Sequence, residues 1–105
     1  MALFKKNISD NSSESEVKNH AILIVDDEVA NLKTLKRLLE DDYYIYLAES
    51  GVEALTMLGD KTISDKIHLI ISDQRMPNMT GVEFLSKSIE LMPLAVRIIL
   101  TGYTD

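Results

Sequence analysis

Ala21-Ile22-Leu23-Ile24-Val25 runs without a break into Asp26-Asp27-Glu28. Five apolar residues in a row, three of them β-branched, mark a strand buried on both faces rather than one with a wet side. A second largely apolar run, residues 67–72, stops in the same way on Asp73. Carboxylates at the ends of buried runs are costly unless something binds them, because desolvation disfavours their charged form. Two such strands ending side by side would gather Asp26, Asp27 and Asp73 into one pocket. That cluster repels itself unless a hard divalent cation sits in it. Mg2+ fits, since it takes oxygen ligands, keeps several waters and works with one or two carboxylates plus a phosphate.

Outward from these two runs, strand and helix patterns alternate. Val29, Leu32, Leu35, Leu38 and Leu39 recur at helical spacing, with Lys33, Lys36 and Arg37 on the other face. Tyr44–Ala48 is short and mixed in polarity, as expected of a strand at a sheet edge, and its tyrosines read as surface and packing. Val52, Leu55 and Leu58 predict a short helix after the Ser50-Gly51 break. Beyond a loop holding Pro77 and Gly81, Val82, Leu85, Ile89 and Met92 predict another helix, closed near Pro93. Residues 96–101 form a fourth strand. The order βαβαβαβ with right-handed crossovers gives an α/β fold, a doubly wound parallel sheet with helices on both faces. Ligands of such sheets bind beyond the carboxyl ends of the strands, where strand order reverses. The acids sit at those ends.

A chain of 105 residues, 46% hydrophobic and 27% charged, is one globular domain at most. The net charge of −6 argues against a nucleic-acid surface, which needs a basic patch. Without cysteine there is neither a disulfide framework nor a thiolate metal site. The apolar stretches are far too short to span a membrane, and Met1-Ala2-Leu3-Phe4-Lys5-Lys6 lacks the order of a signal peptide. A cytoplasmic location is expected. Residues 1–19 are polar and without periodicity, which predicts a flexible leader before a folded domain over residues 20–105.

Each site residue then has a task. Asp73, at the tip of a central strand, is the candidate nucleophile, because a carboxylate can accept a phosphoryl group as an acyl phosphate. Asp26 and Asp27 hold the cation, one directly and one through water. Thr101 ends the fourth strand with a hydroxyl that can meet an attached phosphate, and Gly102 leaves room for backbone to approach. Glu28 reads as an acid favoured by a helix N-terminus rather than as a ligand. His20 and His68 read as isolated residues near strand starts, at the opposite end from the acids, and receive no chemical role. Met76 and Met79 are expected to pack locally.

The segment Asp73-Gln74-Arg75-Met76-Pro77-Asn78-Met79-Thr80-Gly81 is an Asp-x-x-x-Pro-x-x-x-Gly pattern after an apolar strand. With Asp26-Asp27 after the first strand and Thr101-Gly102 after the fourth, it resembles the receiver domain of two-component response regulators, over residues 20 to 105. The resemblance implies a flavodoxin-like fold and phosphorylation of Asp73 by a sensor histidine kinase or phosphotransfer protein. It also implies Mg2+ held by Asp26, Asp27, Asp73 and the backbone carbonyl of Arg75. Pro77 and Gly81 would shape the loop after the acceptor, and Thr101 would match the switch hydroxyl. Such a module is regulatory rather than an enzyme: it takes part in its own phosphoryl transfer and controls an output domain outside this chain. Gln74-Arg75 with Thr101-Gly102-Tyr103 is similar to receivers joined to cyclic-di-GMP phosphodiesterases or hydrogenase-type transcriptional regulators.

The sequence departs from the family in one respect. A complete receiver has a fifth strand, whose lysine pairs with the acceptor or its phosphate, and a final helix. Neither is found here, and Lys61, Lys66 and Lys87 fall in the wrong places to substitute. The expected strand order is therefore 2-1-3-4, and the chain reads as a piece of a longer regulator. Phosphate uptake by this piece is expected to be poor. Its fourth strand becomes an apolar edge that invites dimerisation or strand swapping. Two other functions compete. A Mg2+-dependent phosphohydrolase of the haloacid-dehalogenase type needs a second aspartate two positions after the first, where Arg75 stands. A phosphate-independent docking or dimerisation module would have no need for the three acids and Thr101.

Overall fold

A computed structural model describes residues 20–101; the leader expected over residues 1–19 lies outside that range, as does Gly102. Four strands, β1 (Ala21–Val25), β2 (Tyr44–Ala48), β3 (Ile67–Asp73) and β4 (Val96–Leu100), form one parallel sheet in the order β2-β1-β3-β4. Helix α1 (Val29–Leu39) joins β1 to β2, and α2 (Gly51–Leu58) with a single turn α3 (Lys61–Ser64) leads to β3. Helix α4 (Gly81–Leu91) leads to β4. The chain moves outward from β1 to β2, then crosses back past β1 to β3, so strand order reverses between β1 and β3. Among the described residues no helix is long and apolar enough to cross a membrane.

The double-sided burial read from β1 is what the sheet requires. Ala21, Leu23 and Val25 join Ile70, Ala54, Leu58 and Phe84 in a core on one face, beneath α2 and α4. Ile22 and Ile24 point the other way, onto Leu32 of α1 with Ile71. Burying one such aliphatic side chain contributes about 1.5–3 kcal/mol.

The sheet and its order match the sequence reading, and several details do not: β4, read as residues 96–101, ends at Leu100, so that Thr101 lies just past it. Leu38 is 71% exposed rather than part of the buried stripe. It lies about a third of a turn from Leu32 along α1, and the sheet is met by Leu32, Leu35 and Leu39 instead. The turn α3 was not expected: Asp60 caps it, accepting from the Thr62 backbone N–H at 3.0 Å and the Thr62 hydroxyl at 2.7 Å. His20 and His68 do lie at the end opposite the acids, but not apart, for their rings stack with centroids 4.4 Å apart.

Helix α1 packs chiefly on β1 and β2, and reaches β3 through Leu32 against Ile71. Beside it, Leu69 and Ile71 of β3 with Val96 and Ile98 of β4 line an open groove of about 490 Å³, the two histidines at its rim. On the other face of β4, Arg97 reaches the C-terminal end of α4. Its guanidinium donates to the Ser88 hydroxyl at 2.8 Å, the Ser88 carbonyl at 3.1 Å, the Ala95 carbonyl at 2.8 Å and the Met92 carbonyl. A cation there gives further donors to carbonyls at and beyond the helix end and meets the negative end of its dipole.

Candidate functional site

Register alone brings the acids together. Val25 pairs with Ser72 across β1 and β3, so the next residue on each strand, Asp26 and Asp73, stands level at the carboxyl edge. Strand β3 runs one residue further than read from sequence, and Asp73 pairs with Leu100 of β4. One carboxylate oxygen from each of Asp26, Asp27 and Asp73 lies within 4.8 Å of the others. Asp26 is buried, Asp27 exposed and Asp73 half-buried, so the cluster opens to solvent on one side. It sits where strand order reverses, the place ligands take in sheets of this kind.

Asp26 is held on both oxygens. The Glu28 backbone N–H donates to Oδ1 at 2.9 Å, and the Asn31 side-chain amide donates to Oδ2 at 3.1 Å. Each carboxylate oxygen keeps a further lone pair for a cation. Sequence reasoning passed over Asn31. Its signal was an amide in the first turn of the helix that follows the acids.

The loop after Asp73 is closed by Gln74, which the sequence reading used only for a resemblance and not for this role. Its backbone carbonyl accepts from Gly81 N–H at 3.0 Å and its side-chain oxygen accepts from Val82 N–H at 2.9 Å. The Thr80 hydroxyl accepts from Glu83 N–H at 3.2 Å and Thr80 N–H donates to the Glu83 carboxylate at 2.9 Å, which makes a capping box. All four N–H groups that a helix start leaves unpaired are thus satisfied. A Cβ on Gly81 would lie 2.3 Å from the Asp73 carbonyl oxygen, so only glycine lets α4 start this close to the strand tip. Within the loop Asn78 adopts φ 73°, in a three-residue turn closed by Met79 N–H on the Pro77 carbonyl at 2.8 Å. Asparagine tolerates that left-handed backbone better than most residues.

The remaining expected residues fall nearby. Arg75 and Pro77 are exposed on the loop, and Met76 is buried in the core. Thr101 is exposed and follows directly on Leu100, the partner of Asp73. The donor set of the cluster is oxygen only, which suits a hard cation such as Mg2+.

The fold and the cluster together describe a doubly wound α/β domain with three carboxylates at its topological switch point. Residues 22–105 match the family model of the response regulator receiver domain, and the chain belongs to that family. It is 40% identical over 88 residues to the hydrogenase transcriptional regulatory protein HoxA of Cupriavidus necator, covering 84% of this chain and 17% of that protein. It is 37% identical over 83 residues to the transcriptional regulatory protein GlrR of Escherichia coli K12, covering 78% of this chain and 18% of that one. The chain thus spans less than a fifth of the length of these curated relatives. Among solved structures, a response regulator receiver domain protein from Clostridium thermocellum superposes with TM-score 0.74 at 33% identity, over 82% of this chain and 68% of that one. An adenylate cyclase from Rhodopirellula baltica superposes with TM-score 0.75 at 41% identity, over 83% and 62%.

Proposed function

We propose that this receiver domain accepts a phosphoryl group on Asp73, with Mg2+ held by Asp26, Asp27, Asp73 and the Arg75 carbonyl, and thereby controls an output domain. The observation that carries the reading is the convergence of three carboxylates within 4.8 Å at the switch point.

The donor is a phosphohistidine on a sensor kinase or phosphotransfer protein. A carboxylate oxygen of Asp73 bonds to phosphorus as the phosphorus–nitrogen bond breaks, and the electron pair returns to the imidazole, which takes up a proton. The bound cation supplies charge neutralisation for the carboxylates and the incoming phosphoryl oxygens. Asp26 and Asp27 place that charge, and the Gln74-closed loop holds Asp73 and the Arg75 carbonyl beside it. Thr101, next in chain to the partner of Asp73, supplies the hydroxyl that engages the attached phosphate, and Gly102 follows it in sequence. Pro77 and Gly81 set the loop's shape. Phosphorylation adds roughly −1.5 to −2 charges, enough to rebias a two-state element held by a few hydrogen bonds. The similarity to HoxA and GlrR supports a transcriptional regulator as the output, and the cytoplasm as its location.

The test is incubation with a phosphorylated kinase or acetyl phosphate in Mg2+, borohydride trapping and peptide mapping. An acyl phosphate on Asp73, formed in low yield by this chain and absent from Asp73→Asn, is expected. Phosphate on another residue, or equal labelling of the Asn variant, overturns the reading.

A further inference from the structure

We infer that Asn31 is the positioning residue of the cation site: it fixes the plane of the Asp26 carboxylate and keeps Glu28 out of the cluster. The inference rests on the proposed cation reading and deepens it. The Asn31 amide nitrogen lies 3.1 Å from Asp26 Oδ2 and 3.2 Å from Glu28 Oε1. Two carboxylates facing one amide require its NH2 side, so both of its hydrogens are used.

The Glu28 backbone N–H alone would pin only Oδ1, leaving the carboxylate free to turn about that contact. A donor on Oδ2 removes that freedom and leaves a lone pair on each oxygen for a cation. The same amide engages the Glu28 side chain, which is not among the three acids whose oxygens converge. Outer-shell donors of this kind orient ligands, and their loss typically weakens metal binding about 10–100-fold.

Calorimetric titration of Mg2+ into the 105-residue chain and its Asn31→Ala, Asn31→Asp and Glu28→Gln variants tests this, with thermal melts in EDTA as the control for folding. Asn31→Ala is expected to weaken Mg2+ about 10–100-fold with its EDTA melt unchanged, because Asn31 is exposed. Asn31→Asp separates orientation from charge. An added acid tightens cation binding if charge count governs, and weakens it if the lost donor governs; weakening is expected. Glu28→Gln keeps the backbone donor and an acceptor for Asn31, and should bind more tightly than Asn31→Ala. Mg2+ affinity at or above the unsubstituted level in either Asn31 variant overturns the inference, as does a Glu28→Gln loss equal to that of Asn31→Ala. Absence of Mg2+ binding by the unsubstituted chain overturns the cation reading itself, and this inference with it.

Discussion

Gly81 lies so close to the backbone of Asp73 that a methyl group in place of its hydrogen would sit 2.3 Å from the Asp73 carbonyl oxygen and 2.8 Å from Ile99 Cδ1. The start of α4 is therefore built against the candidate acceptor. Ile99 Cδ1 ends a side chain and can yield, but the Asp73 carbonyl is backbone and cannot move without the strand tip. Gly81→Ala is expected to cost about 1–3 kcal/mol, as overpacking does, and to displace Asp73. Urea denaturation gives the first effect and Mg2+ titration the second. A variant as stable as the parent would show that α4 can move freely.

Arg97 ties β4 to the last turn of α4 through the carbonyls of Ser88, Met92 and Ala95 and the Ser88 hydroxyl. Arg97→Met keeps the aliphatic stem but leaves those half-buried acceptors with fewer donors. A loss of about 1.5–3 kcal/mol is expected for hydrogen bonds from a charged group, read from denaturant midpoints.

The three clustered carboxylates repel one another when no cation is bound. Asp73→Asn is expected to raise the melting temperature in EDTA and to lose the stabilisation by Mg2+. For the parent chain, Mg2+ at 100 times its Kd should add about 2.7 kcal/mol. Thermal melts with and without Mg2+ check both.

Hydrogen bonds from the Thr62 hydroxyl, and then from its backbone N–H, hold the Asp60 carboxyl below the usual aspartate range. A depressed folded-state value means that the cap contributes above the unfolded-state value and is lost as pH falls through the folded-state value. The Thr62 amide signal in NMR should therefore move at a pH below that at which a free aspartate titrates. Movement at the ordinary aspartate pH would contradict the cap.

Val96, Ile98 and Leu100 line one exposed face of β4, one of the two edge strands among the described residues. An exposed apolar edge templates pairing with another chain. The 105-residue chain is expected to self-associate in analytical ultracentrifugation, and Ile98→Lys to reduce that association.

Much of this was legible in the sequence because it depended on local pattern. Unbroken apolar runs ending on Asp26 and Asp73 announced buried parallel strands, and the strand register then set the acids side by side. Leu38 misled because an apolar residue at near-helical spacing need not face a sheet that α1 only partly overlies. The turn α3 is too short to show a period, and its cap is a two-residue contact between Asp60 and Thr62. Asn31, Arg97 and the loop-closing role of Gln74 were passed over for a shared reason. Their importance lies in hydrogen bonds to backbone or carboxylate groups that only folding brings within reach.

The most direct measurement is Mg2+ binding, by calorimetry, to the chain and to Asp26→Asn, Asp27→Asn and Asp73→Asn in parallel. A single bound ion in the parent, weakened by every one of the three substitutions, is the expected result. Affinity that survives Asp73→Asn undiminished would mean that the acid of β3 does not share an ion with those that follow β1, and would contradict the shared site.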